Sequence, residues 1–297
     1  MVVKEIDCYS NKTTKEFECE SDCIRHRILK VVLKQTDEYT NKLLPIIRNK
    51  VVSSNFNTAS SSGIARSEKE KNIKAITGLL AEYVVYDLLR KYNKDINSTN
   101  KKNVIIELDD SNISKNQIDI RIKKKWQIND CDYDEKNETI EVRSSFPYLD
   151  IKSSICGNFD VLGPYSNDVK KSEISKDYYL RILFQLDYRK ENHITYENKK
   201  GEKKLNYNST TTNTLYKDYF DSNYLLKKDL TLYFVGGATN DMMLNPSIAY
   251  EGTMGSESFN EKEQGLFKKI KLKNSMDAVS TLKLILSVCT NEHMKKK

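Results

Sequence analysis

The chain has 297 residues, 38% hydrophobic and 31% charged, with ten Gly and four Pro, and a polar mean hydropathy of -0.66. Its 18 Tyr and 9 Phe, with the aliphatic residues, still suffice for a core, which excludes a wholly disordered or collagen-like chain. No apolar run approaches the roughly 18–20 residues of a membrane span, and the net charge of +7 permits a polyanionic partner without demanding one.

From the N-terminus, Met1–Lys15 has no apolar stretch and carries Glu5 and Asp7, so no secretory signal is expected. Residues 15–52 read as helical from Ile24, Ile28, Val31, Val32, Leu33, Leu43, Leu44 and Ile47, with Pro45 ending or kinking a helix near Lys42. On that reading Cys19, Cys23 and His26 share one helix face where a soft metal could sit. No second ligand pair has zinc-like spacing, and reading the cysteines as small hydrophobes carries more weight. The six scattered Cys, with no export signal, imply reduced thiols in a cytoplasmic protein.

Ser53–Arg66 is a Ser-rich linker, and Ser67–Glu70 resembles a capping box opening a helix over Lys69–Tyr92. Close packing is the expected reason for Gly78 inside it. Beyond Asn93–Lys102 the pattern turns to strands: Val104–Leu108, Gln117–Ile122 and Thr139–Ser145, with Trp126–Asn137 as a hairpin loop. Asp177–Tyr188 alternates, with Leu180, Ile182 and Phe184 opposite Arg181 and Gln185. Leu230–Val235 reads as a buried strand closed by Gly236-Gly237, and Met276–His293 as a final helix. Between the last two strands lies a basic insertion in which Lys199–Glu202 could turn a small hairpin.

The chemistry concentrates on one helix and one hairpin. Strand alternation puts Glu141 and Arg143 on the face opposite Ile140 and Val142. Asp119 is the acid between Ile118 and Ile120 in the preceding strand. An Asp beside a Glu pointing the same way makes an oxygen-only pocket suited to Mg²⁺. Exposed strand acids with a cross-strand arginine are the bland reading of the same residues. No Ser/His/Asp order, Walker-type loop or Gly-x-Gly-x-x-Gly appears, against serine-hydrolase, NTPase and dehydrogenase chemistry.

Asp119 followed by Glu141-Val142-Arg143 resembles the signature of the PD-(D/E)XK nuclease superfamily, and Thr77-Gly78-Leu79-Leu80-Ala81-Glu82 resembles that family's first core helix. The resemblance spans roughly Ser67–Gly237. Arg143 stands at the lysine position and Ile118 replaces the proline before the acid; Pro147–Lys176, the place of the family's crossover helix, is interrupted by Gly157, Gly163 and Pro164. The resemblance implies an α/β fold: a mixed β-sheet core of about five strands flanked by helices. It implies an N-terminal helical region and linker over 1–66, a core over 67–260 with a basic insertion at 189–229, and a C-terminal helix over 261–297.

For function it implies a Mg²⁺-dependent endonuclease of double-stranded DNA, most simply a type II restriction enzyme, with a homodimer and a cognate methyltransferase as possible partners. Asp119, Glu141 and the Val142 carbonyl would hold the metal, Arg143 would stabilise the transition state, and Glu82 would orient water or a second ion. A lysine, if essential, would come from Lys152 or Lys123–Lys125. Lys123, Lys124, Lys125 beside Trp126, and Lys199, Lys200 and Lys203 in the insertion, are the candidate DNA contacts; Ser144 and Ser145 are weaker candidates for phosphate. A structure-specific or repair nuclease, or a DNA-binding protein that has lost catalysis through Arg143, are the alternatives, and a non-DNA interaction protein, showing neither duplex binding nor scission, is the third.

Overall fold

The computed structural model describes residues 1–10, 24–53, 68–97, 103–108, 119–127, 133–146, 159–166, 174–185, 195–197, 203–205, 218–253 and 266–288. Seven strands form a mixed sheet in the order β1-β2-β10-β7-β5-β4-β3. They are β1 (Val2–Ser10), β2 (Ile24–Leu33), β3 (Asn103–Leu108), β4 (Ile120–Gln127), β5 (Tyr133–Ser145), β7 (Tyr178–Gln185) and β10 (Leu230–Thr239). Among the described strands only β5 and β7 run parallel. A parallel pair needs a long crossover, and the crossover here carries strand β6 (Asp160–Ser166). That strand joins β12 (Leu266–Lys271) and β11 (Ala249–Thr253) in a second, three-stranded sheet. β8 (Thr195–Glu197) and β9 (Lys203–Leu205) form the small hairpin expected in the basic insertion.

The two faces of the main sheet are covered differently. Ile140 and Val142 of β5, Leu180, Ile182 and Phe184 of β7, and Leu29 and Val31 of β2 pack under three helices, α1 (Glu38–Ser53), α2 (Glu68–Asn97) and α4 (Ala278–Leu286). On the other face Tyr179, Leu183, Tyr233 and Val235 meet Val161, Ile270 and Leu272 of the second sheet and its margin, with Met243 of the short helix α3 (Asn240–Leu244). The expected alternation on β5 and β7 therefore holds, and the α/β class with it.

Several expectations are corrected. Residues 24–33 are a strand, not a helix: β2 is buried between β1 and β10. A strand buried on both faces reads as a nearly continuous apolar run, which also satisfies helical spacing. His26 is therefore on a strand, its Nε2–H donating to the Val235 carbonyl at 2.6 Å, and the helix face proposed for Cys19, Cys23 and His26 does not form. Both cysteines lie outside the described residues. With two strands of the main sheet in it, the N-terminal region is part of the core rather than a helical addition.

Pro45 does not end α1. Burial of Leu43, Leu44, Ile47 and Val51, at about 1.5–3 kcal/mol each, outweighs the roughly 3 kcal/mol cost of an interior proline. At Gly78 an added Cβ would meet nothing within 4 Å, so close packing does not explain that glycine. Trp126 and residues 133–137, expected in a loop, extend β4 and β5. Gly236 and Gly237 do not close β10 but sit inside it, at a bulge. Gly236 has φ +119° and a Cβ there would lie 2.0 Å from the Met276 carbonyl oxygen. The close approach lets Gly237 and Met276 exchange two backbone hydrogen bonds, at 2.9 and 3.1 Å, and this leads the chain into α4. That helix ends at Leu286, short of the expected His293, whose own position lies outside the described residues, as do Ser67, Ile118, Lys152, Lys199 and Lys200.

Candidate active site

The site begins where the described ladder between β4 and β5 ends. The antiparallel ladder between β4 and β5 ends at Ile120 opposite Ile140, so Asp119, one residue earlier, stands opposite Glu141. The Asp119 N–H donates to the Ile140 carbonyl at 3.2 Å, and its Oδ2 accepts from the Val142 N–H at 2.6 Å. Beyond this point β5 stays paired with β7 through Ser145, but its other edge has no described strand beside it. In a ladder the N–H and C=O of one residue point toward the same neighbouring strand. The Val142 carbonyl therefore lies on the same open edge as the Asp119 carboxylate.

Glu82 reaches this edge from α2. Burial, then repulsion from Glu141, raises its carboxyl from 4.5 to about 7, opposed by attraction to Lys50. Asp119 is raised well above its ordinary range by burial, by Glu82 and by Glu141, against its bond from Val142 and the attraction of Arg143. Three carboxyls from three elements thus lie within each other's field. Arg143 Nη2 is 3.2 Å from Glu141 Oε1, and its guanidinium stands over the Phe267 ring of β12 at 5.5 Å. This confirms that Glu141 and Arg143 face the second sheet.

The donor set suits a hard divalent cation. It is oxygen only, and carboxylates that repel one another gain most from a shared positive charge. Among the described residues no three such side chains stand close enough to ligate one ion as they are. Mg²⁺ requires only one or two carboxylates and keeps several waters, so Asp119, Glu141 and the Val142 carbonyl fit it without a closed cage.

The lysines of β4 do not join this site. Lys123 is paired with Glu107 at 2.8 Å on the exposed face of the hairpin. Lys124 is 5% exposed and bound to the 2% exposed Glu138 at 2.5 Å, which removes it from any DNA backbone. Lys125 stands 5.0 Å over the Tyr133 ring. The register carries all three away from Asp119, opposite residues 135–137, so none supplies a cation in place of Arg143. Lys203 lies on β9.

Two residues were missed. Lys50, in the last turn of α1, is the cation acting on Glu82. Arg181, placed by alternation on the polar side of β7, is only 3% exposed and is the register partner of Arg143. Its signal was the charge itself: a lone Arg in Tyr-Tyr-Leu-Arg-Ile-Leu-Phe, a run in which every other residue is apolar.

No family model matches the chain, and no solved structure matches it. The chain is 31% identical over 193 residues to the "Uncharacterized protein MJECS01" of Methanocaldococcus jannaschii, a similarity covering 62% of this chain and 62% of that relative. The match therefore spans less than two thirds of the relative's length.

Proposed function

We propose that the protein is a divalent-metal-dependent nuclease acting on double-stranded DNA, with a type II restriction enzyme as its simplest form. The observation that supports this most is that Asp119, held by the Val142 N–H opposite Glu141, lies in the electrostatic field of Glu82 and Glu141, next to Arg143. This is the combination of acids, helix and hairpin from which the resemblance to the PD-(D/E)XK superfamily was drawn.

Asp119 and Glu141, with the Val142 carbonyl, would hold Mg²⁺. Bound there, the ion would polarise the scissile phosphate and lower the pKa of its water. Asp119 is oriented for this by its bond from Val142. Arg143 stays charged at any working pH and cannot take a proton from water; its part is to clamp a phosphate oxygen and offset developing negative charge. Glu82, at about 7, can hold or release a proton at neutral pH, a capacity that the arginine lacks. β12 adds Lys269 and Lys271, 3.7 and 3.5 Å from Asp160, on the side of the sheet to which Arg143 turns.

A second reading, DNA binding without cleavage, draws on the ion pair between Arg143 and Glu141, which occupies the one basic group at the lysine position. Incubating the protein with unmethylated phage DNA in Mg²⁺, Mn²⁺ or EDTA separates the two. Discrete fragments in either metal, absent in EDTA and with Asp119→Asn, support the nuclease. Salt-sensitive duplex binding with no scission in either ion supports the second reading.

A further inference from the structure

We propose that Arg181, Arg143 and Ser145 form a binding site for one phosphate group of the DNA backbone, with Arg181 as its floor. The identity of the phosphate's owner rests on the function proposed above; the anion site itself needs no metal. Arg143 and Arg181 are in register on adjacent parallel strands, on the face turned to the second sheet. Neighbouring strands lie about 4.8 Å apart, and like charges directly opposite one another are destabilising.

Arg181 carries most of that cost. Its Nη2 donates to Ser145 Oγ at 2.5 Å and its guanidinium stands 5.1 Å over the Phe159 ring. Among the described residues its Nε and Nη1 are buried with no hydrogen-bond partner, and no carboxylate forms an ion pair with it. Asp160, whose charge attracts it, already accepts from the Tyr250 hydroxyl at 2.6 Å and lies between Lys269 and Lys271. Burial and Arg143 together push the guanidinium down to about 9. A buried cation with two unmet donors beside a second cation is short of one anion. A guanidinium's planar fork matches phosphate oxygens. Arg143, 17% exposed, and the partly exposed Ser145 form the rim through which a phosphate arrives, one strand position from Glu141 and its carboxylate neighbours.

The test uses the full chain in EDTA, in two arms. Inorganic phosphate is added against potassium chloride at equal ionic strength while Tm is followed, and a labelled DNA duplex is titrated by anisotropy. Phosphate should raise the Tm of wild type and of Asp119→Asn by several degrees over chloride and leave Arg181→Gln unmoved, with Arg181→Lys recovering part of the shift. Duplex binding should weaken about tenfold in Arg181→Gln, the loss of one or two charge-assisted hydrogen bonds. A phosphate shift absent from wild type, or retained in full by Arg181→Gln, overturns the site. Should Arg181→Gln not fold, Arg181→Lys and Ser145→Ala decide: phosphate shifts equal to wild type in both overturn it. A phosphate effect without any change in duplex affinity overturns the assignment to DNA and leaves free phosphate as the ligand. Absence of scission in Mg²⁺ with both arms as expected would sink the nuclease reading and leave this site standing.

Discussion

Glu138 and Glu141 lie three residues apart on β5, so they point to opposite faces of the sheet and live in opposite worlds. Glu138 faces the helices and is surrounded by cations and a phenol: Lys124 at 2.5 Å, Lys136 at 2.7 Å and the Tyr178 hydroxyl at 3.2 Å. Glu141 faces the second sheet, with Asp119 across the hairpin, the charge of Glu82 nearby and Arg143 at 3.2 Å. The first is a carboxylate whose charge is fully met by groups on β4, β5 and β7. The second is an excess of negative charge that the fold leaves standing. A strand can tolerate either; only the second gives a divalent ion something to do.

The comparison breaks most visibly at the first site. Glu138→Ala should cost about 3–5 kcal/mol in chemical denaturation, since it leaves the Lys124 ammonium buried without its partner, and joining it to Lys124→Met should recover most of the loss. Asp119→Asn keeps the acceptor for Val142 and removes one of three crowded charges. It should therefore leave Tm equal or higher, while cleavage falls by about 10²–10³-fold or more, on the scale of losing one transition-state-stabilising group.

Acid–base behaviour sharpens the contrast. Between pH 4.5 and about 7 the folded protein keeps a proton on Glu82 that the unfolded chain releases. The unfolded state then binds fewer protons, so stability falls as pH rises through that window, by on the order of 3 kcal/mol at most. Glu82→Gln should flatten the slope in urea melts run from pH 4.5 to 7.5. At the small end, Lys123→Ala, next to Lys124 but in the exposed pair with Glu107, should change stability by less than about 1 kcal/mol.

The site was more legible in the sequence than the fold around it. Period-two alternation on Thr139–Ser145 puts Glu141 and Arg143 on one face with no knowledge of neighbours, and an isolated acid before Ile120 marks the hairpin's other half. The apolar context of Glu82 within Gly-Leu-Leu-Ala-Glu was likewise readable. What failed depends on partners far along the chain. Ile28–Leu33 is mostly apolar because both cores draw on it, Leu29, Val31 and Leu33 on one face and Ile28 on the other, and in one dimension such a run fits a helix equally well. Residues 133–137 are charged because the β4–β5 hairpin projects into solvent, where cross-strand pairing rather than burial keeps them extended. The second sheet was hidden in Asp-Val-Leu-Gly-Pro-Tyr-Ser, with its Gly and Pro, and in the lysine-rich Leu-Phe-Lys-Lys-Ile-Lys. The first pairs with the second, far along the chain, and the second also with β11.

The claim on which the account turns is that the acids around Glu141 take up a divalent ion and those around Glu138 do not. Calorimetric titration of Mn²⁺ into wild type, Asp119→Asn and Glu138→Gln near pH 7 tests it. The account predicts binding by wild type with release of protons from the crowded carboxyls, loss of that binding in Asp119→Asn, and its retention in Glu138→Gln. Binding that survives Asp119→Asn unchanged, or no binding by wild type, would contradict it.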